Sequence, residues 1–213
     1  MRNLALAASL IFSLSSAAIA STGAPHFAQP PDTGLLSPVI DRGDVRAALA
    51  RERAANLATF DTYRFNRVFP SNTFSDNKLN VWRDADGHLC AAATIISSTL
   101  PQLAAKVAED NNFIRLADVR EGPLMDWILT SGFTQDEVVA IQEPFVPVSK
   151  ADQKTVVDAR KRAEETSRLA AYYADVDSAL LRDADQSLDA ATDRLMQHPD
   201  LAAQLIAPVA TTD

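Results

Sequence analysis

Cysteine, histidine and glycine are scarce in this sequence, and each scarcity removes a class of protein. One cysteine among 213 residues cannot form an intramolecular disulfide, so stability must come from a packed core. Three histidines beside that cysteine supply no zinc-ligand set. Six glycines and few β-branched runs argue against a β-sandwich or barrel. Phosphate-loop, dinucleotide-binding, GxSxG and HExxH motifs are also missing, so the sequence predicts no cofactor and no metal.

Basic residues are outnumbered by acidic ones. The 20 Lys and Arg residues against 28 Asp and Glu residues give a net charge of −8 at pH 7. An acidic chain is repelled by phosphate backbones and by anionic lipid headgroups. The charge therefore predicts that nucleic acid is not a partner.

Residues 1–20 have the order of an export signal. Arg2 supplies one positive charge, residues 4–17 form an almost uncharged apolar run, and residues 18–20 read Ala-Ile-Ala. The apolar run is shorter than the roughly 20 apolar residues that a membrane-spanning helix needs. We therefore expect cleavage after residues 18–20, before Ser21, and no integral membrane span afterwards. The sequence has no cysteine near the cleavage point to which a lipid anchor could be attached. The sequence thus predicts a periplasmic or secreted protein.

The mature chain is predicted to contain one domain. Residues 21–40 carry four prolines and two glycines with little apolar periodicity, which is typical of a leader or linker. Residues 41–206 are interpreted as a single, mainly α-helical domain with one short β element. Residues 207–213 are expected to form a flexible tail.

The first half of the domain is predicted to alternate helix and loop. Asp44 is assigned as the N-cap of an alanine-rich helix that runs to about Tyr63. Alternating residues from position 77 to a turn at 84–87 predict a short strand. A helix then begins near Cys90 and ends by Ser98, although residues 88–90 could instead form a return strand. Pro101 opens a further helix, to about residue 110.

An αα-hairpin is predicted next. Residues 124–130 form its first helix, which Gly132 ends. Thr134 and Glu137 match a capping box, in which the hydroxyl and the carboxylate bind each other's free amides. The capping box opens a second helix to about Gln142.

Residues from about 151 to 197 form a long helical region in this interpretation. We define the C-terminal seam as its apolar positions at nearly helical period: Leu169, Tyr173, Val176, Leu180, Ala184, Leu188, Ala191 and Leu195. The spacing allows one helix or two helices that break near Asp175. The pairs Asp158–Arg162 and Glu164–Arg168 lie four residues apart, as in an exposed helix. The seam requires a partner, either the N-terminal helix or another chain, so a protein partner or self-association through this region is predicted.

Three short patterns are explained without a ligand. Residues 82–87 resemble a calcium loop, but Trp82 and Ala93 occupy positions that require oxygen ligands. Residues 42–44 spell the Arg-Gly-Asp adhesion tripeptide, which is common by chance. Six aspartates are expected to form a solvated acidic face of the C-terminal region: Asp175, Asp177, Asp183, Asp185, Asp189 and Asp193.

Cys90 is the side chain that suggests nucleophilic chemistry. At a helix start, free amides and the helix dipole lower a thiol pKa, and His88 and Asp86 are close in sequence. A cysteine nucleophile also needs a base, and only His26, His88 and His198 are available. A cysteine before three alanines is more simply a small buried hydrophobe. We therefore predict a buried structural thiol and assign no catalytic residue, with Cys90, His88 and His198 as the alternative candidates.

Aromatic residues concentrate where the N-terminal helix gives way to a loop: Phe60, Tyr63, Phe65, Phe69 and Phe74. The phenylalanines among them are expected in or near the core. Because the sequence after residue 63 is typical of a loop, an exposed aromatic cluster within residues 63–74 is the alternative. Trp82 and Trp127 are expected in or near the core.

Several of these residues together resemble a group of uncharacterised exported bacterial proteins. The motifs that carry the resemblance are short and span about half of the mature chain: Tyr63, Phe69-Pro70-x-Asn72, Gly87, Cys90-Ala91-Ala92-Ala93, Trp127, Gly132-Phe133-Thr134 and Ile141-Gln142. The resemblance implies a helix that begins at Cys90. It implies no activity.

Composition and motifs together predict a non-catalytic envelope or secreted interaction protein. Its contact surface is expected on the C-terminal helix or on the aromatic loop. The alternative is a thiol-dependent enzyme or redox protein centred on Cys90.

Overall fold

The computed structural model describes residues 40–148 and 156–207, which fold mainly as α-helix. Eight helices follow one another along these residues: α1 (Arg42–Asn66), α2 (Ala91–Thr99), α3 (Pro101–Asp110), α4 (Pro123–Thr130), α5 (Gln135–Ile141), α6 (Val156–Arg182), α7 (Ala184–Leu195) and α8 (Pro199–Ile206). The predicted fold class is confirmed. The predicted signal peptide, the leader up to residue 39 and the tail from residue 208 lie outside the described residues.

Asp41, rather than Asp44, caps helix α1. The Oδ1 atom of Asp41 accepts hydrogen bonds from the amides of Gly43 at 2.7 Å and Asp44 at 3.1 Å. Asp44 lies inside the first turn, where the positive end of the helix dipole stabilises its negative charge. The predicted cap was wrong because both aspartates precede the apolar stripe, and spacing alone does not choose between them. Helix α1 ends at Asn66, and its C-cap, Arg67, has a left-handed φ of 54°.

The predicted β element is reduced to isolated bridges in the described part of the chain. Three pairs of residues form them: Leu79 with Phe145, Arg83 with Leu89, and Asn72 with Pro147. The pairing of Arg83 with Leu89 does not extend into a longer strand pair. The amide of Trp82 donates instead to the carbonyl of Asn112, in the loop after α3, at 2.8 Å. The alternative return strand at residues 88–90 therefore amounts to one bridge.

Helices α2 to α5 lie where the sequence predicted them. Cys90 is the N-cap of α2, and α3 covers the predicted residues. The capping box is confirmed: the Thr134 hydroxyl accepts the Glu137 amide at 3.2 Å, and the Glu137 carboxylate accepts the Thr134 amide at 2.7 Å. Gly132, at a φ of 78°, reverses the chain between α4 and α5.

The described part of the predicted C-terminal region, residues 156–197, contains two helices, α6 and α7, which is one of the two predicted alternatives. Helix α6 continues through Asp175, so the predicted break there is wrong. The chain leaves helical geometry at Asp183 instead, which turns α7 toward both α1 and α4. Pro199 opens α8, a first-turn position at which its missing N–H costs no hydrogen bond.

Helix α1 lies at the centre of the domain. It packs against α2, α6, α7 and α8. The C-terminal seam is buried along its length except at Ala184, which is half-buried. The N-terminal helix α1, one of the two expected partners, therefore covers this seam. None of the described helices is both long and apolar enough to cross a membrane.

Candidate functional site

The thiol of Cys90 is enclosed at the start of helix α2. Cys90 is 1 % exposed, and its Sγ atom accepts a hydrogen bond from the amide of Ala93 at 3.4 Å. Burial raises the pKa of Cys90 to about 12, although the amides of Ala93 and Ala92 act in the opposite direction. The predicted burial is confirmed. Because the thiolate is the nucleophilic form, a thiol held neutral is a weak nucleophile.

Two tyrosines from α1 and α6 lie in the same part of the core. The rings of Tyr63 and Tyr173 meet edge to face at 5.7 Å, and both residues are buried. Neither hydroxyl has a hydrogen-bond partner within the described residues. Burial raises the pKa of both phenols well above the usual value, with a further contribution from the nearby Cys90. These neighbours therefore stay neutral and cannot activate the thiol.

His88 belongs to a turn that is organised by Asp84. The buried carboxylate of Asp84 accepts amide hydrogen bonds from Ser71 at 2.9 Å, Asp86 at 3.0 Å and His88 at 2.8 Å. The Nδ1 atom of His88 lies 3.1 Å from the same carboxylate. Gly87, at a φ of 87°, completes the turn. The side chain of His88 is thus engaged by Asp84.

The same turn contains a group of side chains that could hold a metal ion. Ligand atoms of Asp84, Asp86 and His88 lie within 4.8 Å of one another. Both oxygens of Asp84 are already hydrogen-bond acceptors from backbone amides, so its charge is directed at the turn. This arrangement explains the turn without a ligand.

His198 lies in a different part of the domain from Cys90. It is the exposed residue before α8, a helix that packs on α1, α4 and α7, whereas Cys90 caps α2. His26 lies outside the described residues. Of the sequence-predicted candidates, only His88 and Cys90 share a segment, and the His88 ring is bound to Asp84.

The motif residue Asn72 fixes the loop after α1. Its Nδ2 atom donates to the carbonyls of Asn77 at 2.8 Å and Phe145 at 3.1 Å. Its Oδ1 atom accepts from the amides of Phe74 and Ser75, both at 3.2 Å. Every side-chain bond of this buried residue goes to backbone, so its role is to hold the loop in shape.

Two further motif residues have comparable roles. The Oε1 atom of Gln142 accepts the amide of Leu116 at 2.8 Å, and its Nε2 atom donates to the carbonyl of Ile114 at 3.0 Å. Gly132 lies against α1, where an added Cβ would come within 2.3 Å of the Leu49 carbonyl oxygen. Asn72, Gln142 and Gly132 are thus explained by packing and loop geometry.

A buried ion pair joins α1 to the αα-hairpin. The Arg53 guanidinium binds both carboxylate oxygens of Glu137, at 2.7 and 3.0 Å, and also the carbonyls of Gly132 and Leu180. Burial alone would raise the pKa of the Glu137 carboxyl, but Arg53 and the Thr134 amide hold it below its usual value. Arg53 was not predicted from the sequence as a functional residue. The feature that could have identified it is a charged residue on the buried side of α1, which needs a buried partner.

The predicted acidic face is mostly exposed, as expected, but it is also largely paired with α1, which the sequence did not predict. Four of its six aspartates bind arginines of α1: Asp177 with Arg64, Asp185 with Arg46, Asp189 with Arg42 and Arg46, and Asp193 with Arg42. Most of these groups are exposed, so the pairs contribute little to stability. Arg42, the first residue of the Arg-Gly-Asp tripeptide, lies in the first turn of α1 and takes part in these ion pairs.

An exposed apolar surface lies at the C-terminal end of α1. Phe65 is 86 % exposed and Val68 is 52 % exposed, whereas Tyr63 and Phe69 face the core and contact each other. Arg67 lies between Phe65 and Val68 in sequence and is exposed. None of the described carboxylates lies within 4 Å of its guanidinium. We call Phe65, Arg67 and Val68 the α1-end surface. The expected core position is therefore wrong for Phe65, which fits the alternative of an exposed cluster, and is confirmed for Phe60 and Phe69.

A second exposed aromatic contact lies beyond this surface in sequence. The rings of Phe74 and Phe113 meet edge to face with centroids 5.3 Å apart, and the two residues are 46 % and 41 % exposed. Trp82 and Trp127 are buried, as predicted.

Comparison with protein-family models, with curated proteins and with solved structures gives no match for this chain. A functional assignment therefore depends on the geometry of the molecule alone.

Proposed function

We propose that this chain is an exported, non-catalytic interaction protein that contacts its partner through the α1-end surface. The observation that carries the proposal is the exposure of Phe65, at 86 %, on an ordered helix. A phenylalanine in that position gains apolar burial when another molecule covers it. The C-terminal seam, the other predicted contact surface, is already covered by α1.

The chemistry of the α1-end surface selects the kind of partner. Phe65 and Val68 offer apolar area, and Arg67 adds a guanidinium that no described carboxylate neutralises. Arginine and aromatic residues are enriched among the side chains that dominate binding energy at protein interfaces. We therefore propose a protein partner whose contact surface is apolar and carries a carboxylate opposite Arg67.

The thiol alternative requires Cys90 to reach a substrate. A thiol that is 1 % exposed, with a pKa of about 12, does not meet that requirement in this conformation. The interaction protein is accordingly the function that the geometry supports better.

Site-specific photo-crosslinking in the native host tests the proposal. A photoreactive phenylalanine analogue at position 65 should give a discrete adduct, which mass spectrometry identifies. The same analogue at Thr62, an exposed position one turn earlier in α1, should not give it. The identified protein is then purified, and its affinity for wild-type and variant chains is measured directly.

Phe65→Ser and Arg67→Glu should each weaken that affinity by about tenfold or more, because they remove apolar area and reverse the charge. Thr62→Ala should leave it unchanged. Equal adducts at positions 62 and 65, or unchanged affinity in both variants, would reject the α1-end surface as the contact.

Export is a separate part of the proposal and has its own measurement. If residues 18–20 direct cleavage, protein isolated from its native compartment should begin at Ser21. N-terminal sequencing or intact mass decides this. A chain that retains Met1 would show that the segment is not a cleaved signal.

A further inference from the structure

A cavity of about 310 Å³ lies between the αα-hairpin and helix α7. One wall is formed by Ile128, Leu129 and Phe133, and the opposite wall by Ala190 and Ala191. These walls are apolar. A cavity of this size and lining accepts a small apolar group, as ligand pockets in proteins commonly do.

The polar end of the cavity is provided by Arg194, near the C-terminus of α7. Its Nη2 atom contacts the neutral Oε1 atom of Gln135 at 3.2 Å and the sulfur of Met125 at 3.6 Å. No carboxylate lies within 4 Å of this guanidinium in the part of the chain that the structure describes. By contrast, the half-buried Arg168 binds both Glu165 and Glu143. Arg194 is thus a half-buried cation that lacks an anion.

Gln135 fixes the position of this cation. The Nε2 atom of Gln135 donates to the carbonyls of Leu116 and Val119, both at 2.9 Å, so its Oε1 atom is held toward Arg194. The Nε and Nη1 atoms of Arg194 make no hydrogen bond to the described residues. A planar guanidinium with unused donors at the end of an apolar cavity matches a carboxylate attached to an apolar group.

We propose that this cavity binds a carboxylate that carries a small apolar substituent, with the carboxylate on Arg194 and the substituent between Phe133 and Ala191. The source of the carboxylate is a free organic acid or the C-terminus of a peptide. Asp136 also lines the cavity, is exposed, and opposes an anion by charge. Asp136→Asn should therefore tighten binding, because it removes this opposing charge.

The test measures binding to the full mature chain by isothermal titration calorimetry. Hexanoate is the free-acid probe, and hexanamide is its neutral control. A tetrapeptide that ends in leucine, with a free or an amidated C-terminus, tests the peptide source. We expect hexanoate or the free peptide to bind, with a loss of about tenfold or more on neutralising the carboxylate.

Two variants assign the binding to this cavity. Arg194→Gln should reduce affinity by about tenfold or more, whereas Arg182→Gln, at an exposed arginine of α6, should not. Ala190→Phe leaves the guanidinium in place and fills the cavity, so it should also abolish binding. This second variant keeps the test valid if Arg194→Gln fails to fold. Absence of binding by both acids, or affinity unchanged in Ala190→Phe, would overturn the proposal.

Discussion

Alkylation of Cys90 offers a direct measure of how the core controls its chemistry. Iodoacetamide reacts with the thiolate, so the rate follows the fraction of thiol that is ionised. With a pKa of about 12, Cys90 is about 10⁻⁴ thiolate at pH 8. A free thiol with a pKa of ~8.5 is about one quarter thiolate at that pH. Ionisation alone should therefore slow the reaction by about two thousandfold, and burial adds to this.

The assay is simple because the chain has one cysteine. Intact mass spectrometry follows addition of a single carbamidomethyl group to native protein from pH 7 to pH 10. Protein unfolded in guanidinium chloride provides the free-thiol rate. We expect the native rate to rise about tenfold per pH unit without a plateau. A plateau below pH 9, or a native rate within tenfold of the unfolded rate, would refute the buried structural thiol and favour the thiol-enzyme alternative.

Three further predictions concern the packing around α1, and each is measured by denaturant or thermal unfolding. Leu180→Asp should destabilise by about 3–5 kcal/mol because it buries an unpaired charge, whereas Leu181→Asp, at a 60 % exposed neighbour, should change stability by less than about 0.5 kcal/mol. Gly132→Ala should cost about 3 kcal/mol from a clash and a positive φ, and Gly87→Ala, where nothing lies within 4 Å of the added Cβ, only about 1–2 kcal/mol. Because the Glu137 pKa is lowered in the folded state, its stabilisation is complete above the usual glutamate value of 4.5 and is lost as the pH falls. Glu137→Gln should therefore flatten the acid side of the curve of stability against pH, and an unchanged curve would contradict this. Equal loss of stability in the two glycine variants, or in the two leucine variants, would contradict the reasoning for those positions.

Most helices could be predicted from sequence because their ends carry local chemical signals. The capping box at Thr134 and the proline at position 101 act within one helical turn, and both lie where the structure places a helix start. Apolar periodicity was equally informative for the C-terminal seam, which is buried as a helical stripe should be. These signals need no knowledge of the rest of the fold.

Errors arose where a tertiary contact decides between two local possibilities. Asp41 and Asp44 are both acceptable N-caps, and α6 has no proline or glycine to mark its end. The break at Asp183 follows instead from the packing of α7 on α1 and α4. The ion pairs of the acidic face were not predicted because its partners, Arg42 and Arg46, are about 140 residues away in sequence.

The candidate sites were less predictable than the fold because they depend on which groups remain unpaired. Arg53 and Arg194 are both arginines on helices, yet one binds Glu137 in the core and the other meets only neutral partners beside a cavity. Phe65 and Tyr63 are two positions apart in α1, yet the first is exposed and the second is buried. Sequence periodicity can place each side chain on a face of its helix. Only the assembled domain determines whether that face meets a carboxylate, an apolar wall or solvent, and the two proposed binding surfaces follow from that difference.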